Sequence, residues 1–282
     1  CLQLDCFSLD TPYGSIDAYG VGDTALAVFP AGSTFLSEGK PGVDHLALAT
    51  ENIDDSTSPF INDAKHSNGI NGLKQVHIPE ELTQGVSLRF TSLVNLCGSS
   101  TKFVERMDHI GIASNSNILA ESIFAEKLGL PVESRQTDIE VKVAMESFTS
   151  DKYGVIYKTR PPETMGGLRV SFITVGDTEL EFLENFNNQH AAEIAHGTPG
   201  NTKQDQGAIT KYVDKYGPGL HHLAFKTPDI NQTLMHLEEH NFKLIDSIGR
   251  EGSRRSLIGF IHHSSTGGVL IHFVEREEIT NT

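Results

Sequence analysis

The chain has no tryptophan, four methionines and three cysteines among its 282 residues. Cys1, Cys6 and Cys97 are too few and too scattered for a disulfide framework or a cysteine-based zinc cluster, which fits a reducing, cytoplasmic setting. Basic residues are also scarce: 22 Lys and Arg stand against 37 Asp and Glu, a formal net charge of −15. That balance argues against nucleic acid or an anionic membrane as a general partner, while leaving room for a local basic pocket. No apolar run approaches the ~20 residues that a helix needs to cross a bilayer, so no membrane partner is expected. Glycine is plentiful, at 26 residues, and it punctuates short stretches of alternating apolar and polar residues.

The chain writes one short text twice. Val21-Gly-Asp-Thr-Ala-Leu-Ala-Val-Phe29 is echoed by Val175-Gly-Asp-Thr-Glu-Leu-Glu-Phe-Leu183, and Val43-Asp-His-Leu-Ala-Leu48 by Leu220-His-His-Leu-Ala-Phe225. A third echo joins Gln84-Gly-Val-Ser-Leu-Arg-Phe90 to Gly267-Gly-Val-Leu-Ile-His-Phe273. Three strand-like segments in the same order predict two copies of one β-rich unit. The stretch 107–174 precedes Val-Gly-Asp-Thr in the second copy, but only residues 1–20 do so in the first. The first unit is therefore expected to lack its opening strand and helix, in keeping with a chain that opens on Cys1 rather than Met.

The patterning predicts a meander over 1–30, a loop from Ala31 to Gly42, strands at 43–49 and 85–94, and a linker at Leu96–Thr101. A strand at Met107–Ala113 then leads into a helix capped by Ser114-Asn-Ser-Asn, with Ile118, Leu119, Ile123, Phe124 and Leu128 at helical spacing. Strands are expected at 140–146, 168–175, 179–183, 220–226 and 242–248, a helix near 209–216 and another at 229–240. Ser256–His262 and Gly268–Val274 form a final hairpin, and Asn185–Gln206 reads as a surface loop. The fold class is α+β: tandem βαβββ units forming curved mixed sheets in two domains, an incomplete one over 1–100 and a metal-binding one over 104–282.

Strand periodicity brings four candidate ligands of the second half together. His109 is placed on one face with Met107 and Gly111, Glu181 with Glu179, His222 with Ala224 and Lys226, and His272 with Leu270 and Val274; His221 is expected to turn away. Three imidazoles and a carboxylate suit a divalent first-row ion, whether Zn, Fe, Co, Ni or Mn, with positions left for water or substrate. The first half has Ala27, His45 and Arg89 at the aligned positions, a set that leaves His45 without partners and cannot hold such an ion.

Gly217-Pro-Gly-Leu-His-His-Leu-Ala-Phe-Lys-Thr-Pro-Asp-Ile230, Ile258-Gly-Phe-Ile-His-His-Ser-Ser-Thr-Gly-Gly-Val-Leu-Ile271 and Met107-Asp-His-Ile-Gly-Ile-Ala113 resemble the vicinal oxygen chelate superfamily. Over 107–276 the pattern is most similar to the methylmalonyl-CoA epimerases, and glyoxalase I and the two-domain dioxygenases share it. The resemblance places metal ligands on His109, Glu181, His222 and His272, and implies an isomerase or lyase that stabilises the enolate of a carbonyl or thioester substrate. Glu181 and His272 are then the catalytic residues. Glu179, His262 and His263 are further proton-handling candidates, and Arg250–Arg255 is a basic loop able to meet phosphates. Two departures stand out: the family has Glu at the position of His272, and the epimerases have Gln at that of Glu181. The alternatives are an Fe(II) dioxygenase and a small-molecule sequestering protein, and the superfamily also makes a homodimer compatible with the sequence.

Overall fold

A computed structural model describes residues 1–36, 42–186 and 207–277. Part of the expected loop at 31–42 and most of the one at 185–206 lie outside the described residues. Asn185 and Phe186 belong to the strand that precedes them.

The first half contains β1 (Asp5–Thr11), β2 (Gly14–Val21), β3 (Thr24–Val28), β4 (Leu46–Thr50), the short helix α1 (Ile53–Thr57), β5 (Lys65–Asn68), β6 (Lys74–Ile78) and β7 (Leu88–Ser92). The second contains β8 (Arg106–Ala113), α2 (Asn117–Glu121), β9 (Val132–Lys142), the hairpin β10 (Met145–Ser150) and β11 (Gly154–Thr159), β12 (Glu163–Val175) and β13 (Thr178–Phe186). It continues with α3 (Ala208–Tyr216), β14 (Gly219–Lys226), α4 (Ile230–Glu239), β15 (Arg250–Glu251), β16 (Leu257–Ile261) and β17 (Leu270–Glu275).

The echoed text folds into echoed structure. Val-Gly-Asp-Thr makes a two-residue hairpin turn each time, pairing Val21 with Thr24 and Val175 with Thr178. Gly22 and Gly176 take φ of +65° and +60°, which an unbranched backbone adopts at little cost. The two turns meet: the Asp23 N–H donates to Asp177 Oδ2 at 2.9 Å. The other echoes form two parallel pairs, β4 with β7 and β14 with β17, in which Ala47 faces Arg89 and Ala224 faces His272.

In the second half eight strands form one mixed sheet in the order β15-β16-β17-β14-β8-β13-β12-β9. β8 is its centre, antiparallel to β14 and parallel to β13. The first half has the same order in two pieces, β5-β6-β7-β4 and β3-β2-β1, and no strand among the described residues joins β3 to β4.

Helix α4 shows how the sequence seats one layer. Asp229 caps it by accepting the Gln232 N–H at 2.9 Å, and Ile230, Thr233, Leu234 and Leu237 recur at the spacing of one face, all buried. Helix α2 departs from expectation because it continues as a π turn over Ser122–Lys127. Ala120, Ile123 and Phe124, three and four residues apart, form its buried face, while Ile118 and Leu119, in the first turn ahead of the π turn, are exposed. The strand expected at 242–248 is only a single bridge between Leu244 and Ile261. The main apolar cluster takes residues from both halves, including Val21, Leu48 and Leu88 with Met107, Phe124 and Phe273. No helix among the described residues is long and apolar enough to cross a membrane.

Candidate metal centre

Two one-residue bulges prepare the site. Between β14 and β8, Ala224 pairs with His109 and Phe225 with Met107, which leaves Asp108 extra; Leu220 pairs with Ile112 and His222 with Gly111, which leaves His221 extra. A bulge interrupts the alternation of faces, so Asp108 joins His109, and His221 joins His222, in lining one cavity of about 250 Å³. Two expectations are corrected on this ground. Met107 packs with Ile110 and Ile112 on the apolar side rather than beside His109, and His221 does not turn away.

The four expected side chains converge, all of them buried. His109 Nε2 stands 3.3 Å from His222 Nε2 and 3.2 Å from His272 Nε2. Glu181 Oε2 lies 3.2 Å from His109 Nε2 and 3.4 Å from His222 Nε2. One nitrogen from each of the three rings falls within 4.8 Å of the others. A tetrahedral ion with bonds of about 2.0–2.1 Å needs donors about 3.3–3.4 Å apart, which the three spacings around His109 and the one between His222 and Glu181 meet; the three histidines form the tighter group, with Glu181 at its edge.

Neighbours hold the rings in place. Asp108 Oδ1 sits 2.8 Å from His109 Nδ1, and its other oxygen accepts from Arg276 Nη2 at 3.2 Å. A carboxylate on the far nitrogen fixes the tautomer and aims Nε2 at the cluster. His221 Nδ1 lies 2.9 Å from His222 Nδ1, whereas His272 Nδ1 is buried with no hydrogen-bond partner. Gly111 makes room for the His222 ring, because a Cβ there would come within 2.0 Å of it. Gly111→Ala is therefore expected to displace His222 and weaken metal uptake at least about tenfold, as loss of a ring-orienting contact does. Metal titration of a folded variant, checked by circular dichroism, reads this directly; unchanged affinity would mean that the ring can move without consequence.

The charges are unequally shared. Burial opposes a charge on His109, but Glu181 and Asp108 outweigh it and lift the ring to about 9. Burial would raise Glu181, yet His109 and His222 hold it well below the usual carboxylate range. Burial lowers His222 against the pull of Glu181. It also holds His272 well below its ordinary value, reinforced by His222 and His109, and pushes His221 down to about 3 with help from His222. The cluster thus carries one proton, on His109, facing an ionised Glu181, with neutral imidazoles around them.

The other candidates lie elsewhere. Glu179 is ion-paired with Arg254, which also reaches Glu133 at 2.9 Å and lays its guanidinium 3.6 Å over the Phe172 ring. His262 and His263 stack on each other at the hairpin turn, where His262 Nδ1 meets Ser264 Oγ at 2.8 Å, and neither lines the cavity. The basic loop is divided: Arg250 and Arg254 line the cavity, while Arg255 is exposed. Sequence reasoning missed Asp108, His221 and Arg276. The Asp-His and His-His dipeptides were the available signal, and only the bulges reveal their meaning.

In the first half the equivalent space is filled. The Phe35 ring packs against Tyr13, Phe29 and His45, with centroids 4.7, 4.8 and 5.4 Å away, and beneath Arg89 at 4.8 Å. Arg89 donates to the Phe35 carbonyl and to Asp44 Oδ1, each at 3.2 Å. His45 is not left without partners as expected, since Asp44 Oδ1 lies 2.6 Å from its Nδ1. Phe35→Ala should cost about 3–5 kcal/mol of stability while leaving metal uptake by the second half intact. Urea unfolding together with metal titration tests both parts.

A mixed sheet built from repeated βαβββ units around this cavity defines the vicinal oxygen chelate fold. The chain belongs to the Glyoxalase/Bleomycin resistance protein/Dioxygenase superfamily, whose profile matches residues 108–260. It is 27% identical over 172 residues to the uncharacterized protein YqjC of Bacillus subtilis, covering 61% of this chain and 93% of that one. It is also 27% identical over 105 residues to the mitochondrial methylmalonyl-CoA epimerase of Bos taurus, covering 37% of this chain and about half (51%) of that protein. Among solved structures, the methylmalonyl-CoA epimerase of Mycobacterium tuberculosis matches with a TM-score of 0.43 at 22% identity, over 64% of this chain and 93% of that one.

Proposed function

We propose that the protein is a divalent-metal-dependent isomerase or lyase that removes an acidic proton beside a carbonyl or thioester group. The observation that carries this reading is the buried cluster of His109, Glu181, His222 and His272, with donor spacings that suit a metal ion. A bound ion would supply positive charge at the substrate oxygen where enolate charge develops. Glu181, the one carboxylate in the set, is assigned as the base that takes the substrate proton. His272, neutral and next to His109 in the same cavity, is assigned as the second proton carrier. Phe172, Leu183 and Ile258 line the cavity and keep water from the exchanging proton. In this reading residues 104–282 carry the reaction, and residues 1–100, whose own site is filled, support its shape.

Two imidazoles and a carboxylate also suit an iron oxygenase, but His272 as a fourth donor leaves fewer open positions for dioxygen and favours Lewis-acid chemistry. Methylmalonyl-CoA is the first substrate to try, because relatives bear its name. In D2O under argon, the Zn²⁺- or Co²⁺-loaded protein should introduce deuterium at the carbon between the two carbonyl groups. Glu181→Gln should slow that exchange by about 10²–10⁴, the usual contribution of a general base. Turnover that requires dioxygen and iron would overturn the reading.

A further inference from the structure

We propose that Arg250 is the specificity-determining residue of the cavity, recognising a carboxylate on a short substrate held beside the histidine cluster. This rests on the function proposed above and narrows its substrate class. Arg250 opens β15 and lines the cavity with His272. Its guanidinium lies 5.4 Å over the Phe260 ring, which itself packs edge-on against His272 at 4.4 Å. The head group is aimed by a fixed support. Arg250 Nε donates to Asp246 Oδ1 at 3.1 Å, and the other oxygen of that buried carboxylate accepts the Phe260 backbone N–H at 3.1 Å.

One donor of this side chain is unspent. Arg250 Nη1 is buried and has no hydrogen-bond partner. A buried guanidinium N–H left without an acceptor is costly, and guanidinium groups present their donors in a planar fork that matches a carboxylate. Of the other two cavity arginines, Arg276 is paired with Asp108, and Arg254 has both terminal nitrogens on Glu133 and Glu179, so its one other unpartnered buried donor, Nε, lies behind a fork that is already filled. Ile245, Ile258 and Phe260 give the wall an apolar side beside Arg250, with Ser253 and Ser256 at its loop edge, so the fitting ligand has a small branched or short alkyl body and one anionic end.

Isobutyrate and its neutral isostere isobutyramide probe this directly by calorimetry, using the full chain with its metal content measured. The expected result is that isobutyrate binds about tenfold or more tightly than isobutyramide, the preference that one charge-assisted hydrogen bond confers. Arg250→Gln should reduce that preference to within about twofold at unchanged metal content, which also shows that the variant is folded. Arg255→Gln, on the exposed part of the same loop, should leave it intact. A preference that survives Arg250→Gln but vanishes when the metal is chelated would assign the carboxylate to the ion and overturn the role of Arg250, leaving the proposed function standing. Absence of any preference in the unaltered protein would also overturn it. A protein that takes up no metal yet prefers isobutyrate through Arg250 would overturn the proposed function alone.

Discussion

The His222→Ala protein is expected to bind Zn²⁺ or Co²⁺ about 10²–10³-fold more weakly than the unaltered chain. Four-donor structural sites in zinc-finger peptides hold zinc with about 10–16 kcal/mol, so on that scale one donor of four corresponds to about 2.5–4 kcal/mol. His222 Nε2 closes one edge of the cluster to His109 and another to Glu181, at 3.3 and 3.4 Å, and its loss leaves both edges open. Asp108→Asn gives the contrasting result. It removes the anion behind His109 without removing a donor, and should weaken binding by about 10–100-fold. Competition against a chromophoric chelator measures both changes. An affinity unaltered in His222→Ala would remove the metal from the function proposed above.

Metal affinity should also climb about tenfold per pH unit from 7 to 9 and level off above that. In protein stripped by a chelator, the proton on His109 is held up to about 9 by Glu181 and Asp108. The same Nε2 must be bare to bind an ion, so uptake at pH 7 releases about one proton. His222 and His272 are lowered and therefore already neutral, and Glu181 is already ionised, so they add no further protons. The sign for stability is opposite. His109 is raised above its unfolded value, so its contribution to the metal-free fold is complete below about 6.5 and is lost as pH rises through about 9. Calorimetry in two buffers of different ionisation enthalpy counts the released proton. A pH-independent affinity over this range would show that His109 carries no proton to displace.

Much of the fold and the centre was legible in the residues. The doubled Val-Gly-Asp-Thr marked both hairpins, because a glycine at the first turn position and apolar flanks fix that geometry locally. Period-two patterning placed Glu181 and His272 on the cavity face, since neither strand is interrupted near them. It failed at Met107 and His221, where a bulge adds one residue and reverses the facing of its neighbours, and bulges depend on the partner strand rather than on the chain's own text. Helical spacing failed at Ile118 and Leu119, because it does not say which side of a helix meets the sheet, and here Ala120, Ile123 and Phe124 form the buried face. The filling of the first half by Phe35 was invisible for a similar reason. Phe35 comes from a loop, and its neighbours Tyr13 in the β1–β2 turn, His45 just before β4 and Arg89 in β7 come together only in three dimensions.

The bulge at Asp108 turns a ring and the carboxylate just before it in the chain toward the same cavity. Their separation is set by a single peptide unit, so strands sliding past one another leave that pair unchanged. The contact between His109 and Glu181 instead spans two parallel strands, so its length depends on how those strands lie side by side. The centre therefore combines a locally tied side, where Asp108 aims the imidazole, with a side whose geometry depends on how two strands lie together, where Glu181 meets it.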